Sequence, residues 1–346
     1  MHSSQPVDRK AWRIAKAGNL KNLVLTKESL APPREGEVQV AVRAIGLNFA
    51  DIFAMFGLYS ATPEGSFVPG LEYAGEIVET GQHAGTCQIG DKVMGVTKFG
   101  GYTNRLNIDH KYIVPLPANW TFEEGAAFPV QALTAYYALI ELGHLKKHQT
   151  VLIQSAAGGV GLLAHQIAKK FDAFTIGSIG HKSKIPILEK AGYDRIIVRD
   201  KNFKNNLAEA LDSRELTLVL ECVGGRFFQD SYQALCKTGR IIVYGSARYA
   251  QSGNRPDFVR LVYKYLTRPK VDPQKLIEDN KSVMGFNLVW LYEKYDLFKR
   301  VVGDLMELRL DPPLVGHSFS LDDLPQAVRL FQSGKTVGKV VVRTVD

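Results

Sequence analysis

The sequence is poor in cysteine. Only Cys87, Cys222 and Cys236 occur among its 346 residues, and no two of them form a Cys-x-x-Cys pair. Their spacing cannot build a tetrahedral metal site. We therefore interpret all three as reduced, structural thiols, the usual state of buried cysteines in a reducing compartment.

Long hydrophobic runs are absent as well. No stretch reaches the roughly 18 apolar residues that a membrane-spanning helix needs. Residues 1–8 lack the apolar core of a signal peptide. The sequence therefore predicts a cytoplasmic protein without an integral membrane segment.

Positive charge is in modest excess, and the basic residues are spread over many segments of the sequence rather than gathered in one. The 43 basic residues outnumber the 35 acidic ones and leave a formal charge of +8. Such an excess suits an anionic cofactor, a membrane surface or another polyanion equally well, so it selects none of them. The length exceeds the roughly 250 to 300 residues that one hydrophobic core usually serves, and so predicts two domains.

The first third of the chain reads as β structure. Residues 37–45 alternate apolar and polar side chains, which is typical of a strand with one buried face. Similar short strands are predicted at 74–78, 92–96 and 108–114, separated by turns rich in glycine and proline.

From about residue 121 the sequence pattern changes, and the apolar residues take a helical spacing that ends at Gly143. Short apolar runs then alternate with helical segments. The strands are predicted at 151–154, 174–177, 195–198, 216–220 and 240–244, and the helices at about 160–171, 183–191, 203–212 and 226–236. This alternation predicts an α/β domain, a doubly wound parallel sheet with helices on both faces.

Residues 247–300 break that rhythm. Residues 258–266 place apolar side chains on one helical face, and 284–291 are predicted to form a further strand or strand-like edge. A helix-start signature at Ser320–Asp323 precedes a helix that runs to Gly334 and a closing strand at 339–343, which we expect to return to the first domain.

The strongest local signal is a glycine turn, Ser155-Ala-Ala-Gly-Gly-Val-Gly161, between a strand and a helix. Gly158 lets the backbone approach a pyrophosphate, and Gly161 lets the helix lie close to the strand. Ala156 stands where the usual fingerprint has its first glycine. A tight turn without a ligand is the alternative, but the surrounding alternation favours a dinucleotide. The predicted cofactor contacts are Ala157, Gly158, Gly159, Val160 and Gly161.

The downstream region favours NADPH over NADH. An NAD site usually carries an acidic side chain about 20 residues after the turn. Residues 176–184 contain none and offer Ser178, His181, Lys182 and Lys184, while Arg199 ends the next strand. A hydroxyl and cations suit a 2′-phosphate. The alternative is a solvated helix start, which explains His181 taken alone equally well.

Over essentially its whole length the chain resembles the medium-chain dehydrogenase/reductase superfamily, in particular its zinc-free quinone oxidoreductase branch. Residues 270–276 and 280–288 are similar to the vesicle amine transport protein 1 subgroup. The resemblance rests on six sequence segments: Gly46–Asp51, Gly57–Tyr59, Pro69–Gly75, Gly90–Gly95, Gln131–Tyr137 and Ala157–Gly161.

The resemblance implies two domains with the active cleft at their junction. Residues 1–124 and 309–346 are expected to form a GroES-like β-rich substrate domain, and 125–308 a Rossmann NADPH-binding domain. It also implies a homodimer that pairs the sheet edges of two Rossmann domains, for which 284–291 is the candidate edge.

The resemblance also bears on metal. Zinc alcohol dehydrogenases use a cysteine where this sequence has Asn48, and a histidine where Leu71 precedes Glu72. Their four-cysteine structural lobe is missing too. We therefore predict that neither zinc site forms and that no metal is bound.

By similarity, Asn48 and Thr134 are expected near the nicotinamide, and Asp51 and Tyr59 at the substrate entrance. Tyr59 is the best general-acid candidate, because a phenol can donate a proton to a developing enolate; an aromatic wall without a proton role is the alternative. For Asp51 a hydrogen bond that holds its loop is favoured over a catalytic role.

Other cofactor contacts are implied by the resemblance alone. The turn formed by Tyr244, Gly245 and Ser246 is expected at the adenosine-side ribose and pyrophosphate, and Gly285 and Phe286 at the nicotinamide carboxamide. Lys339 is expected to close over the cofactor, a simple turn into the last strand being the alternative.

We therefore predict zinc-independent hydride transfer from NADPH to a quinone or an α,β-unsaturated carbonyl compound. The alternative, from a different class, is an NADPH-binding interaction or regulatory protein with little turnover, related to vesicle membrane proteins. The third hypothesis is that residues 255–270 form a surface patch that binds nucleic acid or a membrane. Its apolar helical spacing argues instead for core or interface, so we expect no nucleic-acid partner.

Overall fold

The structure is a computed structural model that describes residues 5–344. Its strands are β1 (Val7–Ile14), β2 (Leu23–Leu30), β3 (Glu37–Gly46), β4 (Glu72–Thr80), β5 (Lys92–Val96), β6 (Arg105–Asp109), β7 (Ile113–Pro115), β8 (Thr150–Gln154), β9 (Phe174–Ile179), β10 (Arg195–Val198), β11 (Leu216–Glu221), β12 (Leu235–Val243), β13 (Ser282–Gly285), β14 (Val315–Ser320) and β15 (Lys339–Arg343). Its α-helices are α1 (Phe49–Met55), α2 (Phe122–Ala126), α3 (Pro129–Tyr136), α4 (Gly159–Lys170), α5 (Ile185–Ala191), α6 (Phe203–Leu211), α7 (Arg226–Ala234), α8 (Phe258–Leu266), α9 (Pro273–Asp279), α10 (Leu288–Leu291), α11 (Tyr295–Glu307) and α12 (Leu324–Gln332).

The chain divides into two compact units. Unit 1 comprises Met1–Val130, Gln251–Pro256 and Pro312–Asp346, and unit 2 comprises Gln131–Ala250 and Asp257–Asp311. The outer ends of the predicted domains, at residues 1 and 346, lie outside the described residues.

Unit 1 is built on a largely antiparallel sheet in the order β14-β15-β3-β4-β5-β7, with β6 also paired to β3 and a separate β1–β2 hairpin. The predicted alternation at 37–45 is confirmed as β3, whose Val38, Val40 and Val42 are buried in the core. The C-terminal strand β15 pairs with β3, so the tail does return to this unit.

Unit 2 contains a six-stranded sheet in the order β10-β9-β8-β11-β12-β13, and every pairing in it is parallel. Counted within the unit this is the order 3-2-1-4-5-6, which defines the Rossmann arrangement and places the switch point between β8 and β11. The predicted α/β class is confirmed. The carboxyl ends of β8 and β11 are the expected ligand edge of such a sheet.

Two strand predictions are wrong in detail. The run at 284–291 is not one strand, because β13 ends at Gly285 and residues 288–291 form the short helix α10 after Asn287. The run at 108–114 is two strands, since Asp109 accepts a hydrogen bond from Lys111 N and begins a 3₁₀ turn there.

Helix α8 forms where apolar spacing predicted a helix, but its apolar face is not core of this chain. None of its residues is buried, and Phe258, Val259 and Leu266 are 65%, 83% and 68% exposed. Of the two predicted environments, core or interface, the first is therefore wrong, and the second stays a prediction.

Across residues 5–344, no helix combines the length and apolar content required to cross a membrane.

Candidate cofactor and catalytic site

The glycine turn of unit 2 connects β8 to α4 at the predicted edge of the parallel sheet. Ser155 takes a left-handed backbone conformation with φ of 53°. A Cβ on Gly161 would lie 2.6 Å from the Cα of Ala156, so only glycine lets α4 approach the strand this closely. The packing role predicted for Gly161 follows directly from this distance.

Gly158 has a different environment from Gly161. It is the N-cap of α4, and a Cβ placed there would meet only Ser155 O, at 3.3 Å. In the described part of the chain, residues 5–344, no side chain caps the first turn of α4. Gly158, Gly159 and Val160 are half-buried while Ala157 is buried. The first turn of a twelve-residue helix thus presents backbone N–H groups that an anionic pyrophosphate fits.

Arg199 lies at the same edge of the sheet, directly after β10. Its Nη1 donates to Ser178 O at 2.9 Å, to Ser178 Oγ at 3.1 Å and to Gln154 Oε1 at 3.3 Å. Burial lowers the pKa of Arg199, and within residues 5–344 no carboxylate forms an ion pair with it. A half-buried guanidinium whose hydrogen bonds go to neutral oxygens is suited to bind an anion.

The other predicted 2′-phosphate residues occupy a 3₁₀ turn after β9. Lys182 is exposed and Lys184 is half-buried, with its pKa lowered by burial and by the neighbouring charge of Arg199. His181 Nδ1 accepts a hydrogen bond from Ser183 N at 3.2 Å. The imidazole therefore caps the turn, which accounts for His181 without a ligand.

The remaining predicted contacts of unit 2 lie on β12, β13 and α3. Tyr244, Gly245 and Ser246 follow the end of β12, and Gly285 ends β13 beside it. The ring of Phe286 packs against Tyr137, with centroids 4.9 Å apart. Thr134 is buried in α3. Their contacts with a cofactor stay predictions.

Unit 1 contains a buried cluster that the sequence only partly indicated. Lys339, the first residue of β15, is 3% exposed, and its Nζ lies 2.6 Å from Glu72 Oε1. The same ammonium donates to Asn48 Oδ1 at 2.9 Å, and Asn48 Nδ2 donates to Glu72 Oε1 at 2.9 Å. Val130 N donates to the other carboxylate oxygen of Glu72 at 2.9 Å. The Asn48 amide is thereby fixed in one orientation.

Asp51 adjoins this cluster through the backbone of Asn48. Its Oδ2 accepts from Asn48 N at 2.8 Å and from Tyr102 OH at 2.9 Å, while its buried Oδ1 has no hydrogen-bond partner among residues 5–344. Burial raises the pKa of Asp51 to about 7, against the opposing effect of these hydrogen bonds and of Lys339. The geometry agrees with the expected role of holding the loop at the start of α1.

Tyr59 lies on the loop after α1 and packs, partly buried, against the core of unit 1. Its backbone carbonyl accepts from Thr62 Oγ1 at 2.7 Å, which fixes the loop. Sequence reasoning singled out Asn48, Asp51 and Lys339 but missed Tyr102 and the charge on Glu72. The available signal was a glutamate and a lysine at the first positions of two strands whose next residues are apolar.

Between residues 5 and 344, no three His, Cys, Asp or Glu side chains are grouped so that they could hold a metal ion.

Two family models match the chain. One, described as the alcohol dehydrogenase GroES-like domain, matches residues 34–118. The other, described as zinc-binding dehydrogenase, matches residues 159–300. The quinone oxidoreductase-like protein 2 homolog of Nematostella vectensis is 30% identical over 351 residues, which cover 98% of this chain and 91% of that one. The chain belongs to the medium-chain dehydrogenase/reductase superfamily.

Within this superfamily the chain is similar to proteins with two kinds of name. The synaptic vesicle membrane protein VAT-1 homolog of Danio rerio is 30% identical over 315 residues, 90% of this chain, and the match spans 65% of that relative's length. Escherichia coli quinone oxidoreductase, solved in complex with NADPH, is 26% identical with a TM-score of 0.83, covering 98% of this chain and all of that one (100%). The predicted superfamily and its GroES-like and Rossmann folds are confirmed.

Proposed function

We propose that this chain is a zinc-independent, NADPH-dependent oxidoreductase that reduces a quinone or an α,β-unsaturated carbonyl compound. The observation that carries the proposal is Arg199, a half-buried guanidinium beside Ser178 and the glycine turn that forms no ion pair with a carboxylate within residues 5–344. The NADPH complex of the similar E. coli enzyme supports the choice of cofactor.

The residues of unit 2 would each hold one part of the cofactor, which supplies a hydride when bound. The first turn of α4 would bind the pyrophosphate, and Arg199 with Ser178 would bind the 2′-phosphate. Lys184 would add positive charge there. These assignments explain why the sequence has cations where an NAD site has an acid.

Zinc independence is proposed from the buried cluster of unit 1. Asn48 offers an amide and Leu71 an aliphatic side chain where zinc enzymes have ligands. The ammonium of Lys339 already pairs with Glu72 and Asn48. A metal cation beside that ammonium would be repelled, and it would have one fewer free oxygen to coordinate. Hydrogen bonding or a proton donor must then serve the substrate oxygen, and Tyr59 is the candidate donor.

The test is NADPH oxidation followed at 340 nm with 1,2-naphthoquinone and with a simple enone, in the presence and absence of a zinc chelator. We expect turnover with at least one acceptor, preference for NADPH over NADH, and no effect of the chelator. Tight NADPH binding without turnover on any acceptor would refute the enzyme and favour the interaction protein. Loss of activity with the chelator would refute zinc independence alone.

We also propose that the protein is a cytoplasmic homodimer paired through the outer edge of β13, the last strand of the sheet in unit 2. An unpaired edge strand is otherwise an aggregation hazard. Light scattering coupled to size exclusion is expected to give twice the chain mass of 38.4 kDa. A monomer at micromolar concentration would contradict the dimer.

A second candidate function is docking on an anionic vesicle membrane, and α8 is the observation that favours it. Apolar and aromatic side chains of α8 are exposed beside the cations Arg260, Arg268 and Lys270, the pattern of an interfacial helix. One similar protein is named for vesicle membranes. We expect co-sedimentation with phosphatidylserine vesicles that Val259→Asp abolishes and Ile89→Asp, at an exposed apolar site of unit 1, does not. Equal binding of all three proteins would refute it.

A further inference from the structure

Tyr193 lies behind the glycine turn and contacts it from the protein interior. Its hydroxyl donates to the carbonyl oxygen of Gly161 at 2.7 Å and is within 3.5 Å of that of Ala156. These carbonyls belong to the two sides of the turn, the end that follows β8 and the first turn of α4. One buried hydroxyl thus joins both sides.

The path of the tyrosine ring depends on two glycines. Gly192 ends α5 with a left-handed backbone, φ of 87°. The chain turns there, and the ring of the next residue, Tyr193, lies against β9. Gly177 in β9 leaves the space for the ring, since a Cβ there would lie 2.8 Å from Tyr193 Cδ1. The ring crosses β9 at this gap and reaches the turn.

A second aromatic side chain holds the ring in place. The imidazole of His165, on α4, stacks on Tyr193 with centroids 4.1 Å apart and an interplanar angle of 23°. Its Nε2 must donate to Ala191 O at 2.8 Å, because a carbonyl oxygen only accepts. Its Nδ1 lies 3.1 Å from Thr175 Oγ1, so hydrogen bonds at both nitrogens fix the plane of the imidazole. The stacked imidazole and the close contact at Gly177 together hold the Tyr193 ring in place.

We propose that Tyr193 is a positioning residue for the cofactor pyrophosphate. By fixing the Gly161 carbonyl, it sets the direction in which the first turn of α4 presents its N–H groups. An apolar side chain of the same size would fill the space but leave the turn free to shift. The inference rests on the proposed binding of NADPH. It adds a residue that supports the cofactor site without contacting the cofactor.

The test compares Tyr193→Phe with Tyr232→Phe, both in unit 2. Tyr193→Phe keeps the ring and its stack, so we expect it to fold. The Tyr232 hydroxyl bonds Asp279 Oδ2 at 3.2 Å, away from the turn, and provides the matched control. Dissociation constants are measured by calorimetry for NADPH and for adenosine 2′-monophosphate, which lacks the pyrophosphate. Thermal unfolding is recorded in parallel.

We expect Tyr193→Phe to weaken NADPH about tenfold, the effect of one ordinary hydrogen bond, and to leave adenosine 2′-monophosphate within twofold. KM for NADPH is expected to rise while kcat changes little. Equal weakening of both ligands, or NADPH affinity equal to that of Tyr232→Phe, would overturn the inference while leaving the cofactor assignment intact. If the unsubstituted protein bound no NADPH, both the proposed function and this inference would be refuted.

Discussion

Replacing Lys339 with methionine tests the buried cluster of unit 1. The substitution removes an ammonium that is 3% exposed and leaves the carboxylate of Glu72, which is fully buried, without a cation. Glu72 keeps its hydrogen bonds from Asn48 Nδ2 and Val130 N. Those two bonds cannot replace a full positive charge at low dielectric.

The expected loss is about 3–5 kcal/mol in the free energy of unfolding of unit 1, the usual cost of leaving one buried charge unpaired. Glu72→Gln alone should lower the free energy of unfolding by a similar amount, because it leaves the buried ammonium of Lys339 without a carboxylate. The double variant removes both charges and should recover most of the loss. The two substitutions should therefore be non-additive by at least about 2 kcal/mol.

Urea unfolding followed by tryptophan fluorescence can report this for unit 1 by itself. The chain has three tryptophans, and Trp12 and Trp120 belong to unit 1 while Trp290 belongs to unit 2. A Trp290→Phe background thus confines the signal to unit 1. This matters because a chain of two units need not unfold in one step.

The control is the exposed ion pair of the same sheet, Arg43 on β3 and Glu76 on β4, whose side chains are 36% and 37% exposed. Arg43→Met should cost less than about 1 kcal/mol, as surface pairs usually do. If Lys339→Met cost no more than Arg43→Met, or if the double variant equalled the sum of the single ones, the cluster would not be the buried ion pair described here.

Three further predictions follow from single distances and charges. Gly161→Ala should weaken NADPH binding more than tenfold in a fluorescence titration, because the added Cβ would lie 2.6 Å from Ala156, whereas Gly303→Ala, where the added Cβ meets nothing, should not; equal affinities would contradict the close approach. Arg199→Met should raise KM for NADPH by one to two orders of magnitude and leave KM for NADH within about twofold, consistent with loss of one charge-assisted contact; a parallel rise in both constants would show that Arg199 does not bind the 2′-phosphate. Because the pKa of Asp51 is raised to about 7 in the folded protein, the folded state binds an extra proton between about pH 4 and 7, so stability should fall across that range by up to about 1.4 kcal/mol per pH unit and level off above it. Asp51→Asn should remove this slope in urea midpoints measured against pH, and an unchanged slope would assign it to another group.

The features predicted from sequence are those that depend on neighbours along the chain. The parallel sheet of unit 2 was predictable because each strand is a short apolar run bounded by turn residues. The role of Gly161 was predictable because helix and strand are joined by a few residues. A local pattern suffices when both partners of a contact are in it.

Contacts that depend on sheet register were not predictable. Glu72 and Lys339 are separated by 267 positions and meet only because β4 and β15 both pair with β3. Periodicity also cannot say what an apolar face contacts, which is why both core and interface were predicted for α8. Nor can it separate a short strand from a short helix, and so 284–291 was predicted as one strand.

Lys339, which is buried, and Arg199, which is half-buried, show how a structural cation differs from one that could bind a ligand. Lys339 opens β15 and Arg199 follows β10, and burial lowers the pKa of both. Lys339 is paired with a carboxylate of its own unit, so its charge is already compensated. Among residues 5–344 the hydrogen bonds of Arg199 go to neutral oxygens of Ser178 and Gln154, and no carboxylate lies within ion-pair distance, although the more distant charge of Glu221 acts to raise its pKa. A phosphate at Arg199 would supply the missing charge, whereas a phosphate at Lys339 would have to displace Glu72. Compensation of charge, rather than burial, therefore favours Arg199 as a cofactor contact and a structural role for Lys339.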